Sequence, residues 1–371
     1  MRTFRFLGFL LAFAASAASA QSAWDAADWP RTDFSRHSVN LGEIQSGGPR
    51  KDGIPAIDRP RFESVRAAQR WIKPHEPVIA LRLGEDARAY PLQILIFHEI
   101  VNDRFASMPV TVTFCPLCNA SMAFDLRVGP AVLDFGTTGL LRKSDLVMYD
   151  RQTESWWQQF TGTGIVGRYA NAVLRRVPSQ IVSFAEFADT APGGRVLSRD
   201  TGFARPYGRN PYLGYDSIDR TPFLLSETPD KRLPPMERVI SVTIGKRQRV
   251  YPFAALEGQP VINDELAGAP IAILSRGGMA SPLDSERIER GRRIPAASAF
   301  SRRIDGQVLR FAQRDGRIVD ETTGSEWNLL GDAVAGPLKG KRLVPLDSGV
   351  HFAFAWLAFN PDTEIWVAPG R

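Results

Sequence analysis

Residues 76–114, "EPVIALRLGEDARAYPLQILIFHEIVNDRFASMPVTVTF", align without a gap onto residues 237–275, "ERVISVTIGKRQRVYPFAALEGQPVINDELAGAPIAILS". Twelve of the 39 positions are identical at a constant offset of 161. Tyr90-Pro91 meets Tyr251-Pro252, Asn102-Asp103 meets Asn263-Asp264, and Pro109 meets Pro270. Further on, "DRQTESWWQQF" (150–160) resembles "DETTGSEWNLL" (320–330), and "SFAEFADTAPGGRVL" is echoed by "AFAWLAFNPDTEIWV". Order and spacing kept over ~120 residues indicate an internal duplication.

The copies share one coarse layout. Two alternating runs, "VIALRLG" and "ARAYP", read as a strand pair around a tight Gly turn. "LQILIFHEI" reads as a short helical piece that Asn102-Asp103 ends as a turn. "VTVTF", "SMAFDLRV", "AVLDFGTTG" and "DLVMYD" are short and rich in β-branched or aromatic residues, as strands are. "SFAEFADT" reads as a brief helix. The expectation is an α+β, mainly antiparallel β fold: two tandem copies of one barrel- or sandwich-like domain, the second degenerate. The first copy spans 76–200 and the second 237–371. Residues 21–75 form an N-terminal lead. Residues 201–236, rich in Pro, Gly and Tyr, form an ordered connector packed across both copies.

At the N-terminus, Arg2 and Arg5 precede an apolar run from Phe6 to Ala15 and a small-residue site, Ala18-Ser19-Ala20. This is the pattern of an export signal over residues 1–20, with a periplasmic destination. No later run approaches the ~20 apolar residues of a transmembrane helix. Losing the signal's two arginines lowers the formal charge from +6 to +4. Arginine is spread along the chain, without the concentrated basic face that nucleic acid requires. Nucleic acid is therefore set aside as a partner, and the substrate or protein partner stays open.

The duplication lets the chain act as its own control. Residues kept in both copies, among them Tyr90, Pro91, Asn102, Asp103, Pro109, Asp150 and Trp157, read as scaffold. Three chemically capable residues are not kept: His98 aligns with Gln259, Cys115 with Arg276 and Cys118 with Met279. Cys115 and Cys118 are the only two cysteines of the chain. A Cys-Pro-Leu-Cys turn between strands resembles the knuckle that presents two sulfurs to one zinc ion. A second knuckle is absent, so a closed four-cysteine site is impossible within the chain. Adding His98 gives a Cys2His set with one open position, suited to a catalytic zinc or to copper. Glu99 and Asp145 are the candidate acid–base groups or additional ligands. Arg142, Lys143, Arg151 and Trp156 are candidates for substrate binding. Trp156 and Trp157 must face opposite sides of a strand, which turns Trp156 toward solvent or a pocket. His75 and His351 have no partner motif and read as surface or satisfied histidines.

Two rivals remain open for the cysteine pair. In an oxidising compartment it forms a disulfide staple of a binding or assembly module, or a thiol–disulfide redox pair. Redox pairs of this spacing start a helix, whereas "NASMAFDL" alternates like a strand. The zinc deaminase signature, His-x-Glu with Pro-Cys-x-x-Cys, fits neither motif here.

Together "DGIPAIDRP", "AYPLQILIFHEIVND", "VTVTFCPLCNASMAFD", "FGTTGLLRKSDLVMYDRQTESWWQQFTG" and "RPYGRNPYLGYD" resemble the bacterial domain of unknown function family 3179. The resemblance is strong over residues 52–240 and echoed in 237–370. It implies an exported or membrane-anchored bacterial protein whose signature includes the His and Cys-Pro-x-Cys elements. It implies no established reaction.

Overall fold

A computed structural model describes residues 24–368 of the 371. The export signal read at residues 1–20 lies outside the described residues. The fold is mainly antiparallel β, arranged in several sheets. None of these sheets closes into a barrel among the described residues, which corrects the barrel alternative.

Strand β1 (Pro77–Leu83) pairs antiparallel with β2 (Asp86–Pro91), from Val78 opposite Pro91 to Leu83 opposite Asp86. Gly84 closes the turn at φ +61°, a conformation open to glycine at no steric cost. Ser179–Ser183 flanks β1, and Arg195–Leu197 runs parallel to β2. In the second half, Asp347–Phe352, Arg238–Ile244, Arg247–Pro252 and Glu364–Ile365 line up in the same order with the same directions. Each arrangement also carries a helix after its outer strand, Phe184–Thr190 and Ala353–Phe359.

The side chains shared by the two halves make matching contacts. Asp103 accepts from Arg88 at 2.6 Å and from the Tyr90 hydroxyl at 2.5 Å. Asp264 accepts from Arg249 at 2.6 Å and from Tyr251 at 2.8 Å. Asp150 holds Trp157 Nε1 at 3.0 Å and the Thr153 N–H at 2.7 Å; Asp320 holds Trp327 Nε1 at 3.0 Å and the Thr323 N–H at 2.6 Å. Asp150 and Asp320 are buried and Asp103 and Asp264 partly so, and carboxylates taken out of water are costly unless hydrogen-bonded. Their partners explain why the same residue types stand at these positions in both halves.

A single hydrophobic cluster nevertheless runs through both halves, from Ile57 and Val78 to Phe352 and Trp356. The two halves share this core rather than each enclosing its own.

Helix α1 is shorter than the sequence suggested, covering Leu92–Leu95 only. Asn102-Asp103 does not form a turn. It lies inside β3 (Ile100–Phe105), opposite Thr111 and Val110 of β4 (Met108–Cys115). Asn102 exchanges hydrogen bonds with the Phe135 backbone, 2.8 Å from Nδ2 to the carbonyl and 3.2 Å from the N–H to Oδ1. Tertiary pairing overrides the local turn preference of Asn-Asp.

β4 continues through a tight turn into β5 (Ala120–Asp125), with Cys115 opposite Ala120. In a separate sheet, β6 (Phe135–Arg142) folds back onto β7 (Asp145–Asp150). The tips of these two hairpins meet, and the candidate site lies where they meet.

Candidate metal centre

Cys115 ends β4, and Cys118 sits in the four-residue turn that Asn119 closes at φ +49°. Asparagine is among the few residues that tolerate this region. No helix follows the pair, because β5 pairs back onto β4 along its length.

Facing them, Lys143 (φ +53°) and Ser144 (φ +65°) are the two central residues of the β6–β7 hairpin. Positive φ at both positions is the geometry of a type I′ turn, normally built from Asn-Gly. Neither residue is glycine, so the turn carries backbone strain of a kind that clusters at functional sites. The Ser144 carbonyl points at the cysteines and accepts from Cys118 Sγ at 3.4 Å and Cys115 Sγ at 4.0 Å. Asp145 follows directly. One ligand atom from each of Cys115, Cys118 and Asp145 can be chosen so that all lie within 4.8 Å of one another.

All three residues are buried. Asp145 Oδ2 accepts from Gln158 Nε2 at 2.6 Å and the Phe160 N–H at 2.9 Å, whereas Oδ1 has no hydrogen-bond partner. Burial pushes the Asp145 carboxyl up to about 7, against the pull of those two donors and of the neighbouring Cys118 and Cys115 thiols. Burial likewise raises both thiols, Cys118 well above the usual thiol range. They are free thiols in this structure.

Glu99 stands beside the cluster. It closes the turn that follows α1, in the left-handed region at φ +58°, its N–H reaching the Leu95 carbonyl at 2.7 Å. Glycine is the usual residue there. The aligned residue of the second half is Pro260, whose carbonyl accepts from Ser275 as Glu99's accepts from Phe114. The backbone role is shared; the carboxylate belongs to the first half alone. Burial, with the Asp145 charge nearby, pushes Glu99 up to about 8.

Glu99 also lines a cavity of about 290 Å³ whose other walls include Leu117, Gly139, Leu146, Tyr212 and Tyr215. Gly139 (φ +76°) is required here, since a Cβ would stand 1.9 Å from the Pro49 carbonyl oxygen. The cavity is predominantly apolar with one carboxylate at its wall.

His98 is not part of this cluster. Its Nδ1 meets the Pro55 carbonyl and its Nε2 the Tyr207 hydroxyl, each at 2.7 Å. Both ring nitrogens are thus committed, and burial holds the imidazole below its usual range, in the neutral form. The oxygen-bearing side chain beside the sulfurs is that of Asp145.

The remaining candidates do not line the cavity. Arg142 pairs with Glu43 at 2.7 Å, and Lys143 with the Ala358 carbonyl at 2.8 Å and Glu227 at 3.2 Å. Arg151 pairs with Asp58 at 2.5 Å. Trp156 is fully buried in a second cluster with Trp29, Tyr149 and Val166, edge-on to Trp24 and Phe34. The N-terminal segment covers it, so it faces neither solvent nor the cavity. Trp157 packs in the main core.

His351 also departs from expectation. It is fully buried, stacked on Trp356 with ring centroids 5.3 Å apart, and neither ring nitrogen has a hydrogen-bond partner. His75 does find a partner, the Glu289 carbonyl at 2.8 Å.

Sequence reasoning missed Tyr212 and Tyr215, which bring the 201–236 segment over the cavity. The available signal was two tyrosines within "NPYLGYD", in a stretch with no repeat counterpart. No described helix is long and apolar enough to cross a membrane.

One family model matches residues 51–363, and its description reads "Protein of unknown function (DUF3179)". No curated protein and no solved structure matches the chain.

Proposed function

The chain belongs to the DUF3179 family, whose description names no reaction, and on the strength of its site we propose that it is a zinc-binding protein acting as a metalloenzyme. Cys115, Cys118 and Asp145 are the ligands, and Glu99 is the acid–base group at the cavity wall. One observation carries this reading. Two thiols and a carboxylate with an unpartnered oxygen converge in the interior, and no cationic side chain lines the adjacent cavity.

Isolated buried carboxylates cost several kcal/mol unless protonated, paired or bound to a metal. The raised carboxyl groups record that cost in the metal-free chain. A divalent cation removes it. Two sulfurs and one oxygen suit zinc better than copper(I), which soft ligands select. Three protein ligands leave one position open, as in catalytic rather than structural zinc sites. When bound, zinc supplies Lewis acidity that activates water or polarises a carbonyl. Glu99, near 8 without metal, is suited to moving a proton close to neutral pH. The apolar walls favour a small, largely uncharged substrate.

The redox rival is disfavoured by the burial of both thiols, which raises their pKa and makes them less acidic, since reactive cysteines are accessible and acidic. With the export signal read in residues 1–20, the proposed setting is the periplasm, and the second half serves as scaffold.

Cobalt(II) titration of the metal-free chain tests the site. A thiolate-to-cobalt charge-transfer band saturating at one equivalent, absent in Asp145→Asn with Cys118→Ser, is the expected result. A chain that develops no such band contradicts it.

A further inference from the structure

A second cleft, of about 350 Å³, opens between the segment after Ser64, the 201–236 segment and the second half. That volume falls within the ~300–1,000 Å³ of small-molecule sites. Five cationic side chains line it: Arg70, Lys73, Arg199, Arg209 and Arg287. Two are answered at the rim, Arg209 by Glu286 and Arg287 by Glu289, each at 2.7 Å. Glu76, the other carboxylate of the lining, is turned inward, held by the Lys73 N–H and by Gln93 Nε2, each at 2.8 Å.

Three cations make no direct ion pair among the described residues. Arg70 and Lys73 form no ion pair among the described residues. Arg199 is half-buried and donates both Nε and Nη2 to a neutral acceptor, Gln93 Oε1. Its guanidinium lies over the Trp71 ring at 4.7 Å; burial disfavours its charge, Glu76, Glu289 and Glu63 favour it from a distance, and Arg287 opposes it. Five cations against two lining carboxylates leave the cleft with an excess of positive charge, which favours an anionic ligand. Guanidinium groups grip phosphate with paired donors, and lysine adds a point charge.

We propose that this cleft binds the phosphate group of a small ligand, with Arg199, Arg70 and Lys73 as its principal contacts. The cleft has room for more than a bare phosphate, and Trp71 offers an apolar wall for what the phosphate carries. The site is separate from the cysteine cluster. The two are linked through Tyr207, which lines the cleft and bonds His98, the neighbour of Glu99.

Calorimetric titration of the full chain with inorganic phosphate and with glycerol 3-phosphate, at fixed ionic strength, tests the proposal. The expected result is saturable binding at one equivalent, weakened at least tenfold in Arg199→Gln and in the exposed double variant Arg70→Ser with Lys73→Ser. Tighter binding of the ester assigns the site to phosphomonoesters, and equal binding to free phosphate; either supports it. Asp145→Asn retains the binding, which separates this site from the proposed zinc centre. Absence of saturable binding of both probes, or unchanged affinity in the exposed double variant, overturns the proposal.

Discussion

Asp145 is the residue on which stability and metal binding pull in opposite directions. Its folded carboxyl is raised from 3.8 to about 7, and that of Glu99 from 4.5 to about 8. A carboxyl raised on folding binds its proton more tightly in the native state. The stability it contributes is complete below the unfolded value and is lost as pH climbs through the folded one. The metal-free protein therefore melts at lower temperature at pH 8 than at pH 5, in thermal unfolding with chelator present. Zinc reverses the trend, because its ligands must lose their protons to bind. Asp145→Asn flattens the metal-free profile and raises the melting temperature at pH 8, while abolishing zinc binding. A variant that destabilises the metal-free chain at pH 8 would contradict the electrostatic account. His98→Ala, by contrast, leaves zinc bound and loses only stability, through the contacts to Pro55 and Tyr207.

The two hairpins carry the strain that aims these side chains. Ser144 adopts the left-handed region without glycine, and its Oγ has no hydrogen-bond partner. Relief of ~1–2 kcal/mol of left-handed strain, less ~0.5–1 for glycine's extra chain entropy, gives a net gain. Ser144→Gly is thus expected to stabilise the protein by about 0.5–1 kcal/mol in denaturant unfolding and to keep zinc, because the backbone carbonyl stays. Gly139→Ala behaves oppositely: its Cβ would enter the Pro49 backbone, costing more than about 2 kcal/mol. At this scale the sequence was legible where periodicity was strong. The alternation after Cys118 announced β5, and the paired runs announced β1 and β2. Helix α1 and the Asn-Asp turn misled because tertiary partners outweigh local preference. His98 misled for a related reason: its absence from the second half matched that of the cysteines, yet its role is to tie Pro55 to Tyr207, a contact absent from the repeat. Asp145 was among the candidates for an additional ligand, but the spacing could not show that β6 and β7 bring it, rather than His98, to the sulfurs, since that approach joins two separate sheets.

Across the whole molecule, the sequence likeness between the halves has a physical counterpart in buried carboxylates with the same partners. Asp150 and Asp320 each hold a threonine and a tryptophan. Asp150→Ala and Asp320→Ala should each cost about 2–3 kcal/mol, the order expected for lost hydrogen bonds to a buried charge. The shared core was not readable, because strand order within a copy says nothing about packing between copies. That core makes a calorimetric expectation: one unfolding transition, shifted as a unit by either substitution. Two separate transitions, each sensitive to one substitution alone, would mean that the halves fold independently.

The most direct test of the central claim is the metal content of the purified chain by elemental mass spectrometry, beside Asp145→Asn and His98→Ala. One zinc per chain, lost in Asp145→Asn and retained in His98→Ala, is the predicted result. A chain without zinc, or one that loses it only in His98→Ala, would contradict the Cys115–Cys118–Asp145 centre.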